Sequence, residues 1–178
     1  TIIYNLCSPI FMDTDNFFNL DVEKTVEFIK KETFFKNGST YNKKTKKKIK
    51  VLLVVHVFGN AANLFELIRL CRDRNIKVLE DASESLGTIY NKGFLKNKHT
   101  GLIGDLGCYS FNGNKIISAG SGGMLVTNNK KYYQRAKYLS TQAKDDATYF
   151  IHNNIGYNYK LNNLCAAVGV AQLETLKE

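Results

Sequence analysis

Three residues of different chemistry stand near the ends of short apolar segments. Asp81 closes an acidic pair that follows segment 77–79, Ser110 lies near the end of segment 107–111, and Lys115 comes five residues after Ser110 in a polar loop. An acid, a hydroxyl and an amine at one place suit a site for pyridoxal 5'-phosphate (PLP). The amine can form a Schiff base with the aldehyde, the carboxylate can keep the pyridine nitrogen protonated, and the hydroxyl can hold the phosphate. A PLP site is therefore one interpretation of this spacing.

The elements around these residues predict that they meet. Residues 50–57 form a nearly continuous apolar run, which is typical of a strand buried on both faces. An amphipathic helix over 61–74 and a strand over 77–79 complete a βαβ unit, which requires a parallel sheet. Ligands of such sheets collect at the carboxyl ends of the strands. Further strands are predicted at 107–111 and 123–127, and the fold class is α/β.

Helical spacing of apolar residues predicts three more helices, over 21–31, 130–141 and 161–176. The first would begin after a cap at Asn19 or Asp21. No internal repeat and no linker divide the chain. Taken one at a time, Lys115 is expected to be an exposed loop lysine and Asp81 a turn or cap residue, so the spacing alone does not decide between the two interpretations.

Longer motifs carry a family resemblance. LEDASESLGTIY (79–90) and HTGLIGDLGCYSFNGNKIISAGSGGMLVTNN (99–129) closely resemble the DegT/DnrJ/EryC1/StrS family of PLP-dependent nucleotide-sugar aminotransferases, and the likeness continues through 55–63 and 155–174. The stretch FFKNGSTYNKKTKKKIK (34–50) resembles the subgroup that aminates UDP-4-keto-6-deoxy-N-acetylhexosamines in legionaminic acid type pathways.

The resemblance implies a role for each site residue. Lys115 would be the Schiff-base and catalytic lysine, Asp81 the partner of the pyridine nitrogen, and Ser110 a phosphate ligand. Asn158 would reach the cofactor phosphate of the neighbouring subunit. Glu84 would bind the cofactor beside its ring hydroxyl, where many members carry Gln or His, so a carboxylate there requires a proton or another partner.

The resemblance also implies the context of the site. It predicts the large domain of a fold-type-I PLP transferase, with residues 1–178 as its central part and with the N-terminal segment and the C-terminal small domain absent from this sequence. It further predicts a homodimer with shared active sites, an amino-acid donor (L-glutamate) and a nucleotide-linked keto-sugar as acceptor. A non-catalytic remnant of such an enzyme is the alternative function.

Composition excludes several other classes of protein. The chain has 178 residues, 44% of them hydrophobic, and its longest apolar run is too short to cross a membrane. The four cysteines are scattered without metal-ligand spacing, so we expect no metal site, free thiols and a cytoplasmic protein.

Much of the net charge of +9 comes from one lysine run. We interpret this run as a solvated loop, with a patch that attracts an anionic substrate as the alternative. Nucleic-acid binding is a third possibility, which we do not favour because no recognition motif accompanies the charge. The run comprises Lys43, Lys44, Lys46, Lys47, Lys48 and Lys50.

Overall fold

The computed structural model describes residues 1–146 and 148–176, so Ala147, Lys177 and Glu178 of the predicted 1–178 domain lie outside the described residues. Its helices are α1 (Val22–Lys31), α2 (Phe65–Asp73), α3 (Lys130–Ser140) and α4 (Asn163–Glu174). Its strands are β1 (Thr33–Lys36), β2 (Ser39–Asn42), β3 (Lys48–Ile49), β4 (Val51–Val55), β5 (Lys77–Asp81), β6 (Leu106–Ser110) and β7 (Gly123–Val126). All four predicted helices are present, and Asp21 caps α1 by accepting a hydrogen bond from the Lys24 amide.

The central sheet has the strand order β4-β5-β6-β7. Strands β4, β5 and β6 are parallel, and β7 returns antiparallel to β6. Helix α2 connects β4 to β5, which is the predicted βαβ unit. The predicted α/β class with a mostly parallel sheet is therefore confirmed.

A second sheet of three antiparallel strands, β1-β2-β3, was not predicted. Its first hairpin turns at Asn37 and Gly38, whose φ angles of 50° and 70° are those of the tight turn that best fits the twist of paired strands. The lysine run follows this hairpin; Lys48 is the first residue of β3, and the other five lysines lie in the connections on either side of that strand, so the predicted loop is interrupted by one short strand. Strands of two to four residues are too short to show the alternation by which strands are recognised, so the sequence indicated only a turn-rich segment.

The core lies on one face of the central sheet. Val54 of β4 and Val78 of β5 pack there against Leu67 and Cys71 of α2, and all four side chains are buried. The opposite face of β4 carries Val51, Leu53 and Val55, whose exposed fractions are 54%, 42% and 38%. The expectation that this strand is buried on both faces is therefore wrong for the described residues. Among residues 1–146 and 148–176, no helix is both long enough and apolar enough to cross a membrane.

Candidate active site

Asp81 and Ser110 lie at the carboxyl edge of the central sheet, as the last residues of β5 and β6. Asp81 is opposite Cys108 in the register of these parallel strands, and Ser110 comes two residues after Cys108. Since side chains alternate along a strand, Asp81, Cys108 and Ser110 share one face of the sheet. This is the face opposite the core, which leaves the carboxylate and the hydroxyl accessible.

The Asp81 carboxylate is fixed at one oxygen. Its Oδ1 accepts a hydrogen bond of 3.0 Å from the Ser83 amide and has the Cys108 thiol at 3.9 Å. Oδ2 has no hydrogen-bond partner among residues 1–146 and 148–176. The expected cap role is thus partly real, because Oδ1 closes a turn, and one oxygen remains for a ligand.

Lys115 is held in place by its loop. The Lys115 amide donates to the Asn112 carbonyl at 3.0 Å, and the Asn112 amide approaches Ser110 Oγ at 3.3 Å. Phe111, Ile117 and Ala119 are buried together and anchor the loop on both sides of the lysine. Only 16% of the Lys115 side chain is exposed, so it differs from the exposed loop lysine expected for such a position taken alone.

Glu84 binds the amine of Lys115. Its Oε1 lies 3.1 Å from Lys115 Nζ, and its Oε2 accepts a hydrogen bond of 2.9 Å from the Phe58 amide. The Phe58 hydrogen bond, followed by that from Lys115, holds the pKa of the Glu84 carboxyl below its ordinary value of 4.5. Glu84 is therefore an ionised carboxylate with two partners, which answers the requirement for a partner that the sequence raised.

Asn158 lies apart from these groups. It pairs with Thr141 in an isolated antiparallel bridge, and the amides of Tyr157 and Tyr159 donate to the carbonyls of Leu139 and Ser140 at the end of α3. Its side chain is exposed and makes no hydrogen bond to Ser110 or Lys115 in the described structure. The structure thus brings Asp81 to the face of Ser110, and Glu84 to Lys115, but it does not bring Asn158 to either pair within one chain.

Comparison with known proteins decides the family. All of residues 1–178 match the model of the DegT/DnrJ/EryC1/StrS aminotransferase family. The chain belongs to this family. It is 38% identical over 181 residues to EpsN of Bacillus subtilis (strain 168), covering 99% of this chain and 42% of that protein. It is 36% identical over 173 residues to GDP-perosamine synthase of Escherichia coli O157:H7, covering 97% of this chain and 42% of that enzyme.

A solved structure supports the same assignment. E. coli GDP-4-keto-6-deoxy-D-mannose-3-dehydratase with bound hydrated PLP superposes with a TM-score of 0.72 at 25% identity, covering 94% of this chain and 42% of that one. The predicted fold-type-I architecture is therefore confirmed. The chain spans less than half the length of these relatives. The narrower likeness to the legionaminic acid type subgroup stays a prediction.

The residues of this family member fit PLP. The partly enclosed Lys115 amine suits a covalent link to the aldehyde, and the free Asp81 oxygen suits a protonated ring nitrogen. Ser110 Oγ, on the same face as Asp81, suits the phosphate. The roles of these residues, of Glu84 and of Asn158 remain predictions. Within the described ranges, no group of three or more His, Cys, Asp or Glu residues could hold a metal ion.

One contact at the candidate site escaped the sequence analysis, namely the hydrogen bond from the Phe58 amide to Glu84. Phe58 has a φ angle of 53°, which is uncommon for a bulky residue, and the residue is 74% exposed. A backbone donor has no residue type of its own, so only the geometry of the turn after β4 could reveal it.

Proposed function

We propose that this chain is part of a PLP-dependent aminotransferase that transfers an amino group to a nucleotide-linked keto-sugar, for the synthesis of bacterial surface-polysaccharide or glycoprotein sugars. Family membership and the likeness to GDP-perosamine synthase support the reaction class. The single observation that carries the proposal is the partly enclosed Lys115 amine, paired with Glu84 beside the edge of the sheet that bears Asp81.

Each residue has a defined task in this proposal. Bound PLP supplies an aldehyde that takes up the amino group and a ring that accepts electrons. Lys115 Nζ forms the covalent link to the cofactor and, once released, moves the proton of the substrate carbon as general base and then acid. Asp81 Oδ2 keeps the ring nitrogen protonated by its negative charge. Glu84 Oε1 holds the free ammonium of Lys115 in place as its ion-pair partner.

We further propose that L-glutamate is the amino donor, that the enzyme is a cytoplasmic homodimer, and that Asn158 completes the phosphate site of the partner subunit. The exposed position of Asn158, away from Ser110 of its own chain, supports a role across an interface. Symmetric pairing is also the commonest assembly of soluble enzymes.

Borohydride trapping tests the central claim. We expect reduction of the PLP-loaded full-length protein to leave the cofactor on Lys115, identified by peptide mass spectrometry. Lys98→Ala is the matched control and should keep the label, whereas Lys115→Ala should lose both the label and transamination. A label on Lys98 or Lys130 would overturn the proposal. A protein that shows no cofactor absorbance after PLP is added would instead support the non-catalytic alternative.

A further inference from the structure

Glu80, the neighbour of Asp81, is a fully buried carboxylate with four hydrogen-bond donors. It lies on the core face of β5 with 0% of its surface exposed. Oε2 accepts from His56 Nε2 and from the Gly101 amide, both at 2.9 Å. Oε1 accepts from the amides of Ile103, at 2.7 Å, and Gly104. A buried charge requires this degree of hydrogen bonding, because an unpartnered one would be strongly unfavourable.

The proton on His56 is fixed by a backbone contact. The Ala62 amide donates to Nδ1 at 3.1 Å, so this nitrogen carries a lone pair and the ring proton is on Nε2. In this arrangement the imidazole is neutral, and its contact with Glu80 is a charge-assisted hydrogen bond rather than a pair of opposite charges. His56 therefore joins Glu80 to the turn after β4.

Two glycines allow the loop of residues 100–104 to reach Glu80. A Cβ atom on Gly107 of β6 would lie 1.9 Å from the Gly101 carbonyl oxygen, and one on Gly104 would lie 2.6 Å from the Val78 carbonyl oxygen. Both contacts are with backbone and cannot be relieved by turning a side chain. The loop thus lies directly on the sheet, with its amides directed at one carboxylate.

The Glu80 network leads to both residues proposed for catalysis. Asp81 is the next residue in β5, and its carbonyl accepts a hydrogen bond of 3.0 Å from the His56 amide. His56 immediately precedes the turn that contains Phe58 and, by its bond with the Ala62 amide, helps to fix it. The Phe58 amide binds Glu84, which in turn binds Lys115. If His56 moved, Asp81 would be disturbed directly through its hydrogen bond with the His56 amide. Lys115 would be disturbed indirectly, through Phe58 and Glu84.

We propose that Glu80 is a positioning residue: its buried carboxylate, together with His56, fixes the strand end that bears Asp81 and the turn whose Phe58 amide holds Glu84 against Lys115. This inference rests on the proposed function of Lys115. A carboxylate that only stabilised the fold would affect how much protein is folded, and it would leave Lys115 of the folded molecules unchanged.

Glu80→Gln is the first test. In either orientation the amide group of Gln presents its NH₂ to two donors, Gly101 and His56 on one side or Ile103 and Gly104 on the other. Glu66→Gln is the matched control, because it removes one carboxylate from an exposed site on α2. By hydrogen exchange of the full-length protein without cofactor, we expect the amides of Gly101, Ile103 and Gly104 to exchange at least about tenfold faster in Glu80→Gln only.

The second measurement concerns Lys115 in protein shown to be folded by circular dichroism. After PLP and borohydride treatment, we expect Glu80→Gln to be labelled on Lys115 at least about tenfold more slowly than the parent and the Glu66→Gln control. Turnover per bound cofactor should fall by a similar factor, with KM for the sugar nearly unchanged. Labelling and turnover equal to the parent in folded Glu80→Gln would overturn the positioning role and leave the proposed function intact. No label on Lys115 of the parent would overturn both.

His56→Leu provides a second test if Glu80→Gln does not fold. It removes the bond from the Ala62 amide to the ring, while Asn19 and Thr88 still hold the 57–60 turn and Glu80 keeps its three amide donors. We expect the amides of Gly101, Ile103 and Gly104 to stay protected and the labelling of Lys115 to slow by about tenfold. Labelling at the parent rate in this variant would contradict the link from Glu80 through His56 to Lys115.

Discussion

Asp81 illustrates how one side chain can serve both the fold and the proposed reaction. Oδ1 closes a turn with the Ser83 amide, while Oδ2 remains available. Asp81→Asn keeps a turn-closing oxygen and removes the charge, so we expect the fold to survive and turnover to fall on the order of a hundredfold, about 3 kcal/mol. Steady-state kinetics of the full-length protein, with the exposed Asp73→Asn as control, provide the measurement. Near-normal turnover would make Asp81 a turn residue only.

The Glu80 network predicts a dependence of stability on acid pH. Burial alone would raise the pKa of Glu80, but hydrogen bonds from His56 and from the Gly104 and Gly101 amides outweigh it, and the pKa lies below its ordinary value of 4.5. A carboxyl whose pKa is lowered by folding stabilises the protein above its unfolded pKa, and this contribution is lost as the pH falls through the folded pKa.

Urea unfolding of the parent and Glu80→Gln across this range tests that dependence. We expect the variant to be less stable at pH 7 by about 1–3 kcal/mol, and the difference to shrink as the pH falls below 4.5. A difference that stays constant from pH 7 to pH 3.5 would mean that the charge of Glu80 is not what stabilises the network.

The thiols of α2 and of the N-terminal region should react very differently. Burial, reinforced by the charge of Asp105, raises the pKa of Cys71 to about 12, whereas Cys7 is exposed. A thiol reagent at pH 8 should therefore modify Cys7 in the native protein and reach Cys71 only when α2 leaves the sheet. Peptide mapping with and without urea is the measurement. Native modification of Cys71 as fast as Cys7 would show that α2 does not pack as described.

At the scale of elements, the lysine run lies at the end of the sheet remote from the site. The Lys77 amide donates to the Lys50 carbonyl, so the run precedes the first residues of β4 and β5, whereas Asp81 is the last residue of β5. The four steps of β5 separate these ends by about 13 Å. This exceeds the screening length of roughly 8 Å at physiological salt, so the run is poorly placed to attract substrate to Lys115.

Substitution of three lysines tests this conclusion. We expect the triple variant Lys44→Gln, Lys46→Gln, Lys47→Gln to keep KM for the nucleotide sugar within about twofold at 0.15 M salt. The anchors of the hairpin, such as the bond from Thr40 Oγ1 to the Arg74 carbonyl, are left intact, so the fold should not change. If the KM of the triple variant were several-fold higher than that of the parent at low salt, and if added salt removed this difference, the substrate-attracting patch would again be the better interpretation.

The elements that sequence patterns predicted are those with long-range regularity. The β4–α2–β5 unit follows from apolar runs and periodicity, and the predicted strands at 77–79 and 107–111 placed Asp81 and Ser110 close to strand ends. The role of Lys115 rests on the family motifs and stays a prediction. The polar hairpin β1–β2 could not be predicted in this way. Nor could the open face of β4, because an apolar run indicates that side chains favour burial and does not show which segment covers them. The Glu80 network depends on backbone donors, which have no sequence signature.

At the scale of the whole molecule, this chain spans 42% of the length of EpsN and of GDP-perosamine synthase. The exposed apolar face of β4 and the exposed Asn158 are both surfaces that a larger assembly can use. Val51 and Leu53 on this face are 54% and 42% exposed. The hydrophobic effect favours an assembly that covers them. The proposed homodimer with shared sites is more specific than a covered β4 face, because it places Asn158 at the cofactor phosphate of the other subunit.

Subunit mixing tests this claim in full-length protein. Asn158→Ala and Lys115→Ala are each expected to be poorly active as homodimers. If Asn158 acts across the interface, a mixed dimer carries both lesions in one site and neither in the other. Random exchange should then restore about a quarter of the parental sites, since half of the dimers are mixed and half of their sites are intact. If Asn158 acts within its own chain, every site of a mixed dimer carries one lesion, so activity that merely averages the two variants, after exchange is verified by native mass spectrometry, would contradict the shared site.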